Sequence, residues 1–537
     1  MISDQLRSEV QEWIKNDPDK NTAEQLRKWL AENNEVELKR CFNGFLQFGT
    51  AGLRGPIGPG PSCMNRAVVS RAASGIISFM KKNNLTSVVI GKDARHGSNE
   101  FAQDSAEIFS GAGIKTYLLP RSLPTPVLAF AVNNLKVDVG IMVTASHNPA
   151  ADNGYKVYLG GIVNGVNYRG SQIITPVDLE ISDEISKADL SPVRSKNFET
   201  VNESVIDNYS TSVANLVTIP NQLKIVYTAL HGVGSETFLR VFEKAKFASP
   251  ILVTEQANPD PDFPTTPFPN PEEAGAIDLA INYAKKNNAD LVIANDPDAD
   301  RCAVAVNDLR TGWRMLRGDE VGTILGFYLI SKNKSKDVAV ANSLVSSSLL
   351  AKIANRNGIA FYETLTGFKW ISKTNKLIFG YEEALGYCVD PGVVNDKDGI
   401  SAAVIITQLA GELHKNKTSL CDYLDSIYEE FGFHKTEQIS LRFDKLTQID
   451  GLLSRVVTNP PADLCGNRLL IAEDLSKSKS FPTPGIRLMY ENQIRVIIRP
   501  SGTEPKLKCY IEVVSDTNVQ AISSVSQIKE ALTKVLS

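Results

Sequence analysis

The sequence predicts an α/β chain of several domains: three similar α/β units followed by an α+β unit with an antiparallel sheet. Three observations lead there. At 537 residues the chain exceeds a single ordinary core, and about 100–200 residues per domain gives three to four. A short apolar run, a polar turn and a helical pattern recur, at residues 87–95 (SVVIGKDAR), 223–232 (LKIVYTALHG) and 337–343 (DVAVANS), as in successive α/β units. Beyond about residue 437 the texture changes to hairpins. Divisions at 1–212, 213–322, 323–436 and 437–537 follow.

In chain order, residues 3–33 show helical spacing, Val10, Trp13 and Ile14, then Ala23, Leu26 and Leu30. Thr22-Ala23-Glu24-Gln25 reads as a capping box opening the second helix. Residues 48–56 (FGTAGLRGP) offer glycines and the Arg54 fork; alone, they read as a Gly-rich turn with a surface arginine. A strand at 87–90 leads to a helix at about 100–111, and VDVGIMV at 137–143 is a second buried strand. Residues 258–275 carry six prolines and read as an extended connector over the surface. DLVIAN at 290–295 is a further buried strand. Near the end, 485–490 and 494–498 form a hairpin, a polar loop spans 499–506, and a strand over 507–514 precedes a final helix.

The composition, 42% hydrophobic and 22% charged, is that of a globular protein. A net charge of -4 gives no footprint for nucleic acid or anionic membrane. Seven dispersed cysteines, without a C-x-x-C pair, argue against a disulfide framework or zinc and read as small buried hydrophobes. The first residues, MISDQLR, lack the apolar core of a signal peptide, and no run is long enough to span a membrane, so a cytoplasmic location is expected.

Four stretches bear on chemistry. Residues 144–149 (TASHNP) follow the strand 137–143, placing Ser146 where open α/β sheets collect ligands, with His147 and Lys156 nearby. Ser146 is a candidate nucleophile or phosphate carrier, although a hydrogen-bonded turn accounts equally for the six residues alone. DPDADR at 296–301 sets Asp296, Asp298 and Asp300 at alternate positions, where they repel one another unless a cation sits among them. Three hard oxygen ligands suit Mg²⁺, against an Asx-type turn as the other reading. Glu382 and Glu383, between glycines in GYEEALGY, can accept from sugar hydroxyls; alone, they read as solvated charges. Arg499, Ser501, Gly502 and Thr503 in RPSGTEPKLK supply the donors of a phosphate nest.

In this order and one per domain, the four motifs resemble those of the α-D-phosphohexomutase superfamily from about Gly49 onward. That resemblance implies four domains around a central cleft, with Ser146 as phosphoserine carrier. It implies Mg²⁺ held by Asp296, Asp298, Asp300 and a phosphate oxygen on Ser146. Arg54, His147, Lys156 and Arg301 would line the transfer centre, Lys156 being the first choice for acid and base. Gly367, Lys369, Glu382, Ala384 and Lys397 would meet the sugar. Arg499, Ser501, Gly502, Thr503 and Lys508 would hold the non-reacting phosphate.

Ala384 stands where many phosphoglucomutases and phosphomannomutases carry the serine of Glu-x-Ser. The stretch resembles instead the phosphopentomutase branch, which includes the second type of phosphoglucomutase and glucose-1,6-bisphosphate synthase. The expected activity is an isomerase of carbohydrate metabolism. It would exchange ribose or deoxyribose 1-phosphate with the 5-phosphate, and glucose 1-phosphate with the 6-phosphate, with glucose 1,6-bisphosphate or a pentose bisphosphate as activator. Its partners would be sugar monophosphates, without nucleic acid or membrane, and it would act as a monomer. A synthase using 1,3-bisphosphoglycerate shares these motifs; a non-catalytic sensor would need no phosphoryl carrier.

Overall fold

The computed structural model describes residues 2–188, 191–443, 446–479, 482–502 and 506–536, apart from the side chain of residue 446. It divides into two units. One comprises Met1–Leu316 and Ala384–Glu412, the other Arg317–Glu383 and Leu413–Ser537.

The first unit opens with helices Asp4–Asn16, Lys20–Ala31 and Glu35–Cys41. The expected capping box at Thr22 is not what starts the second helix. Asp19 caps it, accepting from Asn21 N, and Thr22 lies within the helix, donating to Asp17 Oδ2 at 2.7 Å. Carboxylates at 17 and 19 satisfy the free amides before Thr22 can.

The first sheet runs Leu53–Pro56, Asp152–Leu159, Val139–Val143, Ser87–Lys92, Lys115–Leu118, Glu199–Thr200, with Ser171–Gln172 beside Asp152–Leu159. Val139–Val143, Ser87–Lys92, Lys115–Leu118 and Glu199–Thr200 pair in parallel; the two strands on the other side are antiparallel. Every residue of Val139–Val143 is buried, which explains the unbroken apolar run. A second sheet follows the same plan. Ile251–Leu252, Ile225–Thr228 and Leu291–Ala294 are parallel, and Ala303–Asp308 and Gly312–Met315 add antiparallel edges.

In the second unit, Ala360–Thr364, Ala339–Ser343 and Leu377–Glu382 pair in parallel beside helices Gly318–Lys332 and Leu349–Arg356. The antiparallel sheet runs Phe433–Arg442, Lys506–Ser515, Ile494–Pro500, Ile486–Tyr490, Asn467–Asp474, Asp463–Leu464. Ile486, Leu488 and Tyr490 alternate inward with the period of a strand. They share a core with Val525, Ile528 and Leu532 of the final helix, Asn518–Leu536. Three α/β sheets and one antiparallel α+β sheet are therefore present, as the sequence predicts. The expected divisions after residues 212, 322 and 436 lie within Glu203–Ala214, Gly318–Lys332 and Phe433–Arg442.

Candidate active site

Ser146 sits two residues beyond Thr144, just past the end of the strand Val139–Val143, as the sequence places it. Its φ of 52° is a left-handed conformation uncommon for a side-chain-bearing residue. Its amide donates to Thr144 Oγ1 at 2.9 Å. Its Oγ donates to Asp296 Oδ2 at 2.8 Å and lies 3.2 Å from His147 Nδ1.

The turn is held by a residue that the sequence does not flag. Arg95, buried at 4% exposure, donates Nη2 to the carbonyls of Ser146 (2.7 Å) and Asn148 (2.6 Å), and Nη1 to those of Pro149 (2.8 Å) and Asp152 (3.1 Å). One guanidinium fork thus fixes four carbonyls of one loop. The Phe263 ring lies 4.9 Å from its Cζ, a cation–π contact. The only sequence signal was a strand-end turn, Lys92 to Arg95, at the same sheet edge.

Asp296, Asp298 and Asp300 leave the strand Leu291–Ala294 and are buried. Asp298 Oδ2 accepts from Lys156 Nζ and Thr125 Oγ1, both at 2.7 Å, and Thr125 N donates to Asp298 O at 2.9 Å. Asp300 Oδ2 accepts from Lys156 at 3.0 Å and lies 3.3 Å from Lys397 Nζ. Asp296 Oδ1 accepts from Arg301 N at 3.0 Å. Arg54, registered opposite Gly154, donates to Asn148 Oδ1 at 3.3 Å.

Segment 384–412 completes this unit. Arg301 bridges Gly386, and Cys302 N donates to Leu385 O at 3.0 Å. The neighbouring Gly399 leaves no room for a side chain, since a Cβ there would lie 2.1 Å from Arg301 O. Lys397, expected among sugar contacts, faces Asp300, its Nζ 3.3 Å from Oδ2.

Residues 258–275 are irregular and mostly exposed, as the connector reading expects, but Phe263, Thr266, Pro269 and Pro271 turn inward. Phe263 is 3% exposed, and Glu272 Oε2 lies 3.5 Å from Arg301 Nη1.

The electrostatics favour a cation among the aspartates. Burial and the other two carboxylates push Asp296 well above the usual range. Burial also opposes ionisation of Asp298, yet the Lys156 ammonium and its hydrogen bond, with Thr125, hold it low. Lys156 in turn, despite burial, is held charged by Asp298 and Asp300. Burial and the cations of Arg301, Arg54 and Lys397 keep His147 neutral well below its ordinary pKa.

The donor set fits a divalent metal. One oxygen from each aspartate lies within 4.8 Å of the others, and Asp298 Oδ1 and Asp300 Oδ1 are buried with no hydrogen-bond partner among the described residues. Unpartnered buried carboxylate oxygens are costly unless a cation takes them.

In the second unit, Glu382 Oε1 accepts from Gly367 N at 2.8 Å. Gly367 has φ +107°, open to glycine, and Lys369 follows in the short helix Phe368–Ile371. Glu383 Oε2 accepts from Ser343 and Ser346 at 3.0 and 3.2 Å. The pair of glutamates is therefore bound into the fold, not left as solvated charges. Arg499 pairs with Lys508 across the hairpin, and Ser501 N donates to Lys506 O at 2.8 Å. Arg499 Nε is buried without a partner among the described residues, and Gly502 is exposed. Thr503 lies outside the described residues. Six cysteines are buried as expected; Cys465 is exposed, in a turn.

The chain matches the phosphoglucomutase/phosphomannomutase family models in four parts: alpha/beta/alpha domain I over residues 46–191, domain II over 207–312, domain III over 317–431 and the C-terminal domain over 468–524. A Haemophilus influenzae protein named "Probable phosphomannomutase" is 45% identical over 88% of this chain and 98% of its own. Human phosphopentomutase is 35% identical over 99% and 95%, and Saccharomyces cerevisiae phosphoribomutase 36% over 97% and 94%. Among solved structures, a phosphoglucomutase/phosphomannomutase family protein from Burkholderia thailandensis aligns over 91% of this chain and 96% of its own, with a TM-score of 0.70 at 19% identity. That similarity speaks for the fold. Among the described residues no helix is long and apolar enough to cross a membrane.

Proposed function

The chain belongs to the phosphoglucomutase/phosphomannomutase family, within the α-D-phosphohexomutase superfamily, and we propose that it moves a phosphoryl group between the anomeric and terminal hydroxyls of an aldose phosphate through Ser146. The observation that carries this reading is the contact between Ser146 Oγ and Asp296, 2.8 Å, at the edge of a triad in which Asp298 Oδ1 and Asp300 Oδ1 have no partner among the described residues. Ribose and deoxyribose 1-phosphate are the proposed preferred substrates, with glucose 1-phosphate also used. Ala384 supports that preference.

Phosphorylated Ser146 would give its phosphoryl group to the free hydroxyl of the incoming monophosphate. The resulting bisphosphate then returns its other phosphoryl group to the serine. The transition state is loose, so positioning and charge neutralisation supply most of the rate. Arg95 holds the carrier loop in place, and the neutral His147 lies beside Ser146 Oγ, its Nδ1 at 3.2 Å. Arg54, Arg301 and Lys397 surround it with positive charge. Lys156, held as the ammonium beside Asp298 and Asp300, is the proposed acid–base partner of the sugar hydroxyl.

Asp296, Asp298 and Asp300, with a phosphate oxygen on Ser146, would hold Mg²⁺. When bound, the ion neutralises charge on the transferring phosphoryl oxygens. Glu382, Gly367, Lys369 and Ala384 are the proposed sugar-contacting residues, and Arg499, Ser501, Gly502, Thr503 and Lys508 the proposed grip on the non-reacting phosphate. Glucose 1,6-bisphosphate or a pentose bisphosphate would charge Ser146, and the enzyme would act in the cytoplasm as a monomer.

The test is turnover on ribose, glucose and mannose 1-phosphates in parallel, with Mg²⁺ and a trace of glucose 1,6-bisphosphate, beside Ser146→Ala. Fastest pentose conversion, abolished in the variant, is the expected result. Fastest mannose or glucose conversion would overturn the pentose preference, and full activity of Ser146→Ala would overturn the carrier.

A further inference from the structure

A second reactive feature lies among the N-terminal helices. Cys41 closes the helix Glu35–Cys41, and Cys63 lies in the loop after the strand Leu53–Pro56. Both are buried, at 0% and 1% exposure, and their Sγ atoms are 3.9 Å apart. The backbones around them are docked. Ser62 N donates to Cys41 O at 3.1 Å, and Ser62 Oγ to Gly44 O at 2.7 Å. A Cβ on Gly60 would lie 2.7 Å from Cys41 O, so the chains approach as closely as glycine allows.

The sulfurs are chemically unequal. Arg40 Nη1 lies 3.9 Å from Cys63 Sγ, and Glu37 orients that guanidinium at 2.8 Å. The Cys41 thiol, with the Arg40 cation, pushes Cys63 down to about 7, whereas the Cys63 neighbour and burial raise Cys41. One sulfur is therefore suited to attack and the other to resolve. Arg40 and Glu37 are partly exposed and mark the solvent side of the pair.

We propose that Cys41 and Cys63 form a redox-modifiable dithiol, which small-molecule disulfides convert into an intramolecular bond stapling residues 35–41 to the loop 57–65. The Cys63 thiolate attacks one sulfur of the small disulfide, forming a mixed disulfide and releasing one thiolate, which takes up the Cys63 proton. Cys41 then loses its proton and attacks Cys63 Sγ; the Cys41–Cys63 bond forms and the second small thiol leaves. The protein gives up two electrons and two protons, and the small disulfide is reduced to two thiols. The loop 57–65 is tied to the segment that follows the serine loop, since Ile57 N donates to Ala151 O at 2.7 Å.

Full-length protein is equilibrated in glutathione buffers from reduced to fully oxidised, then alkylated and peptide-mapped without reduction. The expected result is a peptide joining residues 41 and 63, about 2 Da lighter than its parts and reversed by dithiothreitol. It should be absent from Cys41→Ser and Cys63→Ser. Amide exchange across residues 35–41 should slow at least about tenfold on oxidation. Modification of the exposed Cys465 alone, or a cross-link between other cysteines, would overturn the proposal and leave the pair as apolar packing. A 41–63 bond without slower exchange would overturn the staple.

Discussion

Replacing Arg95 with Met keeps most of the buried stem and removes the fork. Four carbonyls then lose a charged donor, each such bond contributing ~1.5–3 kcal/mol. Asn148, Pro149 and Asp152 are partly exposed, so water can replace much of that, whereas Ser146 is buried. Asp93, already 3.4 Å from Arg95 Nε, is also left as a buried carboxylate without its cation. A net loss of about 2–4 kcal/mol in stability follows. The larger effect falls on turnover. A displacement of about 1 Å of the carrier oxygen is enough to cost on the order of 100-fold in rate, equivalent to ~2.7 kcal/mol of barrier. Urea unfolding should show the stability loss, and steady-state turnover at saturating sugar phosphate should fall about 100-fold. Arg95→Lys, with one point charge in place of a fork, should recover only part. Arg95→Met with turnover within about threefold of the unmodified protein would refute the loop-clamp reasoning.

Three further outcomes are expected. Chelation of divalent ions should abolish turnover and Mg²⁺ restore it, while Asp298→Asn should weaken Mg²⁺ activation by at least about tenfold; metal-independent turnover would contradict the fit of the triad. Arg499→Ala should raise KM for sugar monophosphates at least about tenfold while Ser146 still accepts phosphate from a bisphosphate, as seen by intact mass; an unchanged KM would remove the phosphate role. Asp319, buried and close to Glu383 and Glu512, is pushed up to about 7. Its folded form binds the proton more tightly than the unfolded chain, so its contribution is complete below about pH 4. It is lost as pH rises through 7, at up to about 1.4 kcal/mol per pH unit. Asp319→Asn, which keeps an acceptor for Ser347 N and Tyr381 OH, should flatten denaturation midpoints between pH 4 and 7; an unchanged slope would count against it.

What the sequence made legible was what it holds contiguously. The three aspartates fall within five consecutive positions, and Ser146 lies just past a short β-branched apolar run that reads as a buried strand, so both strand-end loops could be read from order alone. Arg95 was not legible because its partners are main-chain carbonyls, which every residue carries. Glu272 and Phe263 were hidden in a proline-rich stretch whose composition describes an extended chain but not what it lies against. Glu383 looked like a solvated charge because Ser343 and Ser346, its donors, lie about 40 residues earlier. Thr22 was misread for the opposite reason, since a stronger cap stood three residues before it.

The first unit is not continuous in the chain: it stops at Leu316 and resumes at Ala384. During synthesis this fixes a timetable. Asp300 leaves the ribosome about 100 residues before Lys397, an interval of roughly 5–20 s at about 5–20 residues per second. Through that interval the nascent aspartate loop lacks one of its two lysines, and Arg301 lacks its bridge to Gly386. Burial of the triad is then least favourable while the third sheet is being made. The centre can reach its final state only when the returning segment docks, so the last step in building the unit is also the step that equips it for chemistry.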